Sequence, residues 1–313
     1  MQLDPEQVAV LEELADRKDP NAPSLWDTSP ETVRDSVKHM LTYQGEPEAA
    51  GVEDQLVPGS VGDVPIRIYT PSNGAIPQGA GLFFIHGGGW VLSDIASYDP
   101  LCRHLSNALG AIVVSIDYRR APETKFPGPV EDCWAVLNYI ANNAAKLSID
   151  PNRLAIAGDS AGGNLAAVMT LKAKEHGGPK IAAQVLHVPV TDHNFETESY
   201  QDNADGYLLT REFMEWFWHQ YLDDPADGDH PYASPLKALD LSGLPPALVQ
   251  TCAFDPLLDE GRAYARRLDD AGVQVTYTEI SGTAHDPMLF FSALPKGRLA
   301  IQEAVSFLKT NIG

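Results

Sequence analysis

The chain has 313 residues, of which 44% are hydrophobic and 21% charged, and its formal net charge is −21. These values predict a globular protein with a substantial core, built as one large domain or two smaller ones. A surface this acidic repels polyphosphate, so nucleic acid is excluded as a partner.

Residues 1–45 are predicted to form amphipathic helices, because apolar side chains such as Val8, Leu11 and Leu14 recur at helical spacing. The first residues contain neither a basic region nor an apolar stretch of the kind that a secretion signal needs. No apolar run in the chain approaches transmembrane length. We therefore expect a cytoplasmic protein that does not insert into membranes.

From about residue 53 the pattern changes to strands that alternate with helices. A turn at residues 58–59 predicts an antiparallel hairpin, with strands at 55–57 and 64–69. Six continuously apolar strands follow, at residues 81–85, 111–116, 154–157, 181–188, 247–253 and 273–280. Helices are predicted at residues 100–109, 129–145, 161–174, 257–271 and 296–310. The pattern predicts an α/β fold with an eight-stranded, mostly parallel sheet and helices on both faces. An exposed edge at the last strand would suit a homodimer.

Residues 191–244 interrupt the alternation of strands and helices. This stretch is rich in turns and contains an aromatic helix at residues 213–221. An insertion here lies at the carboxyl edge of the sheet, where open α/β sheets bind ligands. We expect residues 191–244 to form a helical cap together with residues 1–45, over a core of residues 46–190 and 245–313. The three aromatic side chains Phe213, Trp216 and Phe217 either pack on the core or form a pocket wall.

A serine between two glycines follows the fifth predicted strand, in the sequence G-D-S-A-G-G at residues 158–163. An apolar strand precedes it and an alanine-rich helix follows, as in the nucleophile elbow G-x-S-x-G. In that geometry the Ser160 hydroxyl lies at the positive end of the helix, beside the free N–H of Ala161. The alternative is a glycine-rich turn without chemical meaning.

Three consecutive glycines follow the third predicted strand, in the sequence H-G-G-G-W at residues 86–90. Glycines let backbone N–H groups turn toward one point with no side chain in the way. This pattern is typical of an oxyanion loop. A flexible loop or a phosphate cradle are the alternatives, but the lysine that a phosphate loop needs is absent.

A serine nucleophile needs a histidine base and a carboxylate that orients the histidine. Asp255 follows the strand at 247–253, and His285 follows the strand at 273–280, so both lie at the same sheet edge as Ser160. Asp255 could instead be a turn or helix-cap residue, with Asp259 as a rival acid. Four histidines before the acid are predicted to be core, turn or cap residues, namely His187, His193, His219 and His230. Three others are predicted at helix surfaces, namely His39, His104 and His176.

With these motifs the chain resembles the hormone-sensitive-lipase-like esterases, the bacterial family IV of carboxylesterases on the α/β-hydrolase fold. The resemblance covers the chain from about residue 50 to its end. It implies Ser160 as nucleophile, His285 as base and Asp255 as orienting acid. It also implies an oxyanion hole made of the N–H groups of Gly88, Gly89 and Ala161. The resemblance further implies that His86 supports the loop and is not the catalytic base.

The resemblance implies hydrolysis of esters through an acyl-enzyme, without a metal ion or an organic cofactor. We expect short- to medium-chain acyl esters as substrates, and small esters as the only partners besides a second copy. An amidase, a lactonase or an acyltransferase would use the same triad. A non-catalytic small-ligand receptor is the remaining alternative, although such receptors lose the histidine that is His285 here.

Two positions depart from the family pattern. Arg120 replaces a leucine in the segment Y-R-L-A-P-E, and Asp286–Pro287 replaces Gly-Phe after the histidine. Because Asp286 would adjoin the base, it could change the pKa of the base or the pocket floor. We expect a substrate pocket lined by six side chains, namely Trp90, Asp159, Phe213, Trp216, Phe217 and Asp286.

Overall fold

The computed structural model describes residues 2–17, 19, 21–74 and 79–313. Residues 1, 18 and 20 of the predicted N-terminal helical segment lie outside them. Within the described residues, eight strands form one sheet in the order β1-β2-β4-β3-β5-β6-β7-β8. The strands are β1 (Ala50–Gly59), β2 (Gly62–Pro71), β3 (Gly79–Ile85), β4 (Ile112–Ile116), β5 (Ile149–Asp159), β6 (Gln184–His187), β7 (Ala247–Phe254) and β8 (Val275–Ala284). This confirms the predicted α/β fold.

The directions of the strands also agree with the prediction. β1 and β2 form the antiparallel hairpin, and β2 pairs antiparallel with β4. From β4 to β8 every neighbouring pair is parallel. The carboxyl ends of β3, β5, β7 and β8 therefore meet at one edge of the sheet. β1 and β8 are the two outer strands.

Helices cover both faces of the sheet, because its central strands are apolar on both sides. The core helices are α3 (Asp99–Leu109), α4 (Gly128–Asn142), α5 (Ala161–His176), α8 (Leu258–Asp270) and α9 (Pro295–Ile312). On β3, Phe83 and Ile85 pack in one cluster with Leu165 of α5. The alternate residues Leu82 and Phe84 pack in another cluster, which includes side chains of α3 and α9. None of the helices among the described residues is long and apolar enough to cross a membrane.

Two helical segments lie outside this regular alternation. The first contains α1 (Pro5–Asp16), α2 (Pro30–Val37) and the 3-10 turns of Lys38–Gln44. The second lies between β6 and β7 and contains α6 (Glu198–Asp202) and α7 (Arg211–Tyr221). The aromatic α7 is the predicted helix, whereas α6 has too few apolar residues to be visible in the sequence pattern.

Candidate active site

Ser160 lies in a strained turn between β5 and α5. Its backbone has φ 52° and ψ −119°, a conformation that residues other than glycine rarely adopt. The glycines beside it are required by space. A Cβ atom at Gly162 would lie 2.0 Å from the carbonyl oxygen of Ile85, and one at Gly158 would lie 2.3 Å from the carbonyl oxygen of Gly162. The turn thus holds the serine at the carboxyl end of β5.

Ser160, His285 and Asp255 are within hydrogen-bonding distance in series. His285 Nε2 lies 3.0 Å from Ser160 Oγ, and His285 Nδ1 lies 2.7 Å from Asp255 Oδ2. The other carboxylate oxygen of Asp255 accepts the backbone N–H of Leu257 at 2.9 Å. This is the geometry that a nucleophile, a base and an orienting acid need.

The rival acid Asp259 lies elsewhere. Its carboxylate accepts the backbone N–H of Ser199 at 2.8 Å and forms an ion pair with Arg262 at 3.1 Å. It therefore connects α8 to α6, and the structure does not bring it to His285.

The environment of His285 favours its protonated form. Burial lowers the pKa of the imidazole, but the charge of Asp255, its hydrogen bond to Nδ1 and the charge of Asp286 together outweigh burial, so the pKa lies above its ordinary value. An imidazole stabilised in this way is suited to accept a proton from Ser160.

The glycine loop after β3 faces Ser160 across the cavity. Gly88 and Gly89 have φ values of 96° and 59°, and the Gly88 carbonyl accepts the N–H groups of Val91 and Leu92 at 3.1 and 2.7 Å. Within the described part of the chain, the N–H groups of Gly88 and Gly89 donate no hydrogen bond. Ala161 begins α5, where N–H groups have no partner in the helix. These are the three groups that the sequence predicts as oxyanion donors.

A cavity of about 370 Å³ opens over Ser160 and His285. Part of its wall is apolar and consists of Val37, Met40, Leu92, Leu208, Leu209, Phe213, Phe217 and Leu289. Charged side chains form another part, namely Glu31, Arg34, Asp35, Lys38, Asp94 and Arg120. Pockets for small ligands are typically ~300–1,000 Å³, so the cavity has the size of such a site.

The six predicted pocket residues divide into two groups. Phe213, Phe217 and Asp286 line the cavity, whereas Trp90, Asp159 and Trp216 do not. The side chains of the second group are directed into the protein interior. Trp90 stacks on Tyr221 with ring centroids 4.2 Å apart, Asp159 accepts a hydrogen bond from Tyr98, and Trp216 packs on Phe217. The aromatic helix α7 thus forms a pocket wall with one face and packs on the core with the other.

Several residues at the site escaped the sequence analysis. The cavity is lined by residues of the N-terminal segment, such as Val37 and Met40, and by Tyr98. His187, predicted to be a core, turn or cap residue, is buried with Nε2 only 3.4 Å from Asp286 Oδ1. No local motif marks these residues, because only the tertiary fold brings them to the nucleophile. In the described ranges, no cluster of three or more His, Cys, Asp or Glu side chains could hold a metal ion.

Fold and site together define a hydrolase with a serine nucleophile elbow, and comparison with known proteins gives its family. A family model for the alpha/beta hydrolase fold matches residues 82–289. The chain belongs to this family.

Relatives of known name extend the comparison over most of the chain. Carboxylesterase NlhH of Mycobacterium tuberculosis is 38% identical over 252 residues, which are 79% of this chain and 78% of the relative. Ethyl acetate hydrolase of Pseudomonas putida is 36% identical over 253 residues, or 80% and 79% of the two chains. The solved structure of a hyperthermophilic esterase from the archaeon Pyrobaculum calidifontis has a TM-score of 0.90 and 38% identity, and the match covers 99% of each chain.

Proposed function

We propose that this protein hydrolyses short- to medium-chain acyl esters through an acyl-enzyme formed on Ser160. The protein is an enzyme that hydrolyses carboxylic esters, as its relatives named carboxylesterase, ethyl acetate hydrolase and arylesterase do. The observation that carries the proposed mechanism is the series of contacts from Ser160 through His285 to Asp255.

The reaction begins when Ser160 Oγ attacks the ester carbonyl carbon and His285 Nε2 accepts the hydroxyl proton. Asp255 keeps the imidazole oriented and stabilises its charged form. The N–H groups of Gly88, Gly89 and Ala161 donate to the oxyanion that forms. His285 then gives its proton to the departing alcohol as the C–O bond breaks, and the acyl group stays on Ser160. Water repeats these steps and releases the carboxylic acid.

The proposed substrate size follows from the cavity above the serine. Its apolar wall suits an alkyl chain, and its volume of about 370 Å³ is near the lower end of the usual range for small-ligand sites. An acyl chain of moderate length fits such a wall better than a triglyceride. A cytoplasmic location and a homodimer remain predictions from the sequence.

The test of the mechanism is the variant Ser160→Ala, assayed with p-nitrophenyl butyrate. Without the nucleophile, kcat is expected to fall by roughly 10⁴- to 10⁶-fold. Ser234→Ala is the matched control, since Ser234 is also buried and does not line the cavity. It is expected to keep kcat within about twofold, because most substitutions away from a site act on stability alone. Retained hydrolysis in Ser160→Ala, with a normal circular dichroism spectrum, would rule out Ser160 as the nucleophile.

A further inference from the structure

Tyr98 and Asp159 form a buried link between the glycine loop and the nucleophile turn. The Tyr98 hydroxyl donates to Asp159 Oδ2 at 2.6 Å and accepts the backbone N–H of Gly87 at 3.1 Å. Asp159 directly precedes Ser160, and Gly87 directly precedes Gly88. Tyr98 is 1% exposed and Asp159 is 2% exposed, so water does not compete for these bonds. One side chain thus connects the two backbone segments that would have to converge on a substrate carbonyl.

The next peptide along the chain, between Gly87 and Gly88, is held as well. Its carbonyl oxygen lies 2.8 Å from His86 Nδ1. The Tyr118 hydroxyl lies 3.1 Å from the His86 carbonyl oxygen and 3.3 Å from that of Gly87. Burial lowers the pKa of His86 to about 4, so the ring is neutral and donates through Nδ1. In a trans peptide the C=O and N–H groups point in opposite directions. Bonds that hold the Gly87 carbonyl therefore also direct the N–H of Gly88.

The protonation of Asp159 is compatible with this role. Burial, with the nearby charge of Asp286, raises the pKa of Asp159 well above its ordinary value. A neutral carboxyl still offers an oxygen that accepts the Tyr98 hydroxyl. The backbone N–H of Gly87 can only donate, so the Tyr98 oxygen accepts from it and the hydroxyl proton is available for Asp159 Oδ2. A glycine is required at position 87, since a Cβ atom there would lie 2.1 Å from Asp159 Oδ2.

We propose that Tyr98 and Asp159 are positioning residues, which set the distance and direction between the oxyanion donors of the glycine loop and Ser160. The inference rests on the proposed function, because it assigns these residues to the oxyanion hole of that reaction. As positioning residues, Tyr98 and Asp159 contact neither the reacting atoms nor the leaving group. Their contribution is expected in the transition state, where the donors meet a full negative charge.

The first test is Tyr98→Phe, which removes the hydroxyl and keeps the ring. With p-nitrophenyl butyrate, kcat is expected to fall about 10- to 100-fold, less than the ~10²- to 10³-fold loss for deleting an oxyanion donor, while KM stays within about twofold. A trifluoromethyl ketone forms a tetrahedral adduct with the serine. Its affinity for Tyr98→Phe is expected to fall by the same factor as kcat/KM falls. Butyrate, the product acid, is expected to bind as before.

Tyr69→Phe is the matched control. Tyr69 is also fully buried, and its hydroxyl donates to a carboxylate, Asp99 Oδ1, at 3.1 Å, but it does not line the cavity. A purely structural effect of losing a buried tyrosine hydroxyl would appear equally in both variants. Unchanged kcat in Tyr98→Phe, or an equal loss in Tyr69→Phe, would overturn the proposal.

Asp159 supplies the second test, through the pair Asp159→Asn and Asp159→Ala. Asparagine keeps an oxygen that can accept the Tyr98 hydroxyl, whereas alanine does not. Asp159→Asn is therefore expected to retain at least roughly tenfold more kcat than Asp159→Ala, because alanine misplaces the oxyanion donors. Equal losses in the two variants would contradict a role as acceptor. Ser160→Ala separates the failure of this inference from the failure of the proposed function. If Ser160→Ala is active, the proposed function is refuted. If Ser160→Ala is inactive and Tyr98→Phe is fully active, only this inference is refuted.

Discussion

Asp286 is an unusual residue to find beside a catalytic base. It has left-handed backbone angles of φ 54° and ψ 59°, which cost a residue other than glycine about 1–3 kcal/mol. The residue is 3% exposed and lines the cavity next to His285. The charge of Asp286 raises the pKa of His285 and of Asp159. The residue that follows the base thus adds negative charge to the site.

Replacing this charge is expected to change how the activity depends on pH. In Asp286→Asn the imidazolium of His285 loses an attractive neighbour, so the pKa of His285 falls. His285 must be unprotonated to accept the serine proton, so the acid limb of kcat/KM moves to lower pH. A pH–rate profile measures this shift. Asp63→Asn, at an exposed position of β2, removes the same charge and is expected to leave the limb in place. A limb that stays or moves to higher pH in Asp286→Asn would contradict the electrostatic role.

At the scale of elements, one arginine connects α2 to the core. Arg34 Nε donates to the carbonyl of Val91 at 2.7 Å, and Nη2 donates to the carbonyl of Ala121 at 2.8 Å. Its guanidinium also pairs with both oxygens of Glu123 at 2.7 Å. These bonds connect α2, whose residues line the cavity, to the segment that follows the glycine loop. Arg34 therefore helps to hold the N-terminal segment in its place beside the cavity.

Arg34→Ala is expected to loosen the N-terminal segment without changing the chemistry. The two bonds from the charged guanidinium to carbonyl oxygens are part-buried, and each corresponds to about 1.5–3 kcal/mol. We expect faster amide exchange at residues 30–44 and a higher KM for hexanoate esters, with kcat almost unchanged. Arg17→Ala removes an exposed ion pair with Glu13 on α1 and is expected to change neither quantity. Wild-type exchange rates in Arg34→Ala would show that other contacts hold the segment.

At the scale of the whole molecule, the cavity exists because two distant parts of the chain meet over one sheet edge. Residues 31–44 and 208–217 supply most of its apolar wall. The glycine loop, the serine and the histidine directly follow β3, β5 and β8. The sheet fixes the reacting groups, and the helical segments determine what space remains above them. Chemistry and substrate preference therefore depend on different parts of the fold.

Enlarging the cavity is expected to change chain-length preference. Phe213 on α7 lines the cavity, and Phe213→Ala removes a ring from its apolar wall. The ratio of kcat/KM for decanoate over butyrate p-nitrophenyl esters is expected to rise roughly tenfold, since each methylene that gains contact adds binding energy. Phe195→Ala is the control, because Phe195 is partly buried in the same insertion but does not line the cavity. An unchanged ratio in Phe213→Ala would show that the acyl chain lies elsewhere.

The sequence alone determined the sheet, the direction of its strands and the residues that could form a triad. Those signals are local, because apolar strands, a G-x-S-x-G turn and an H-G-G-G loop are read within a few residues, and the parallel order then brings their ends to one edge. The tertiary structure alone decided which side chains face the cavity. Trp216 and Phe217 are adjacent in sequence, yet only Phe217 lines it, and Tyr98 reaches Asp159 across 61 positions. Helix rotation and long-range packing set such contacts, and neither leaves a periodic trace in the chain.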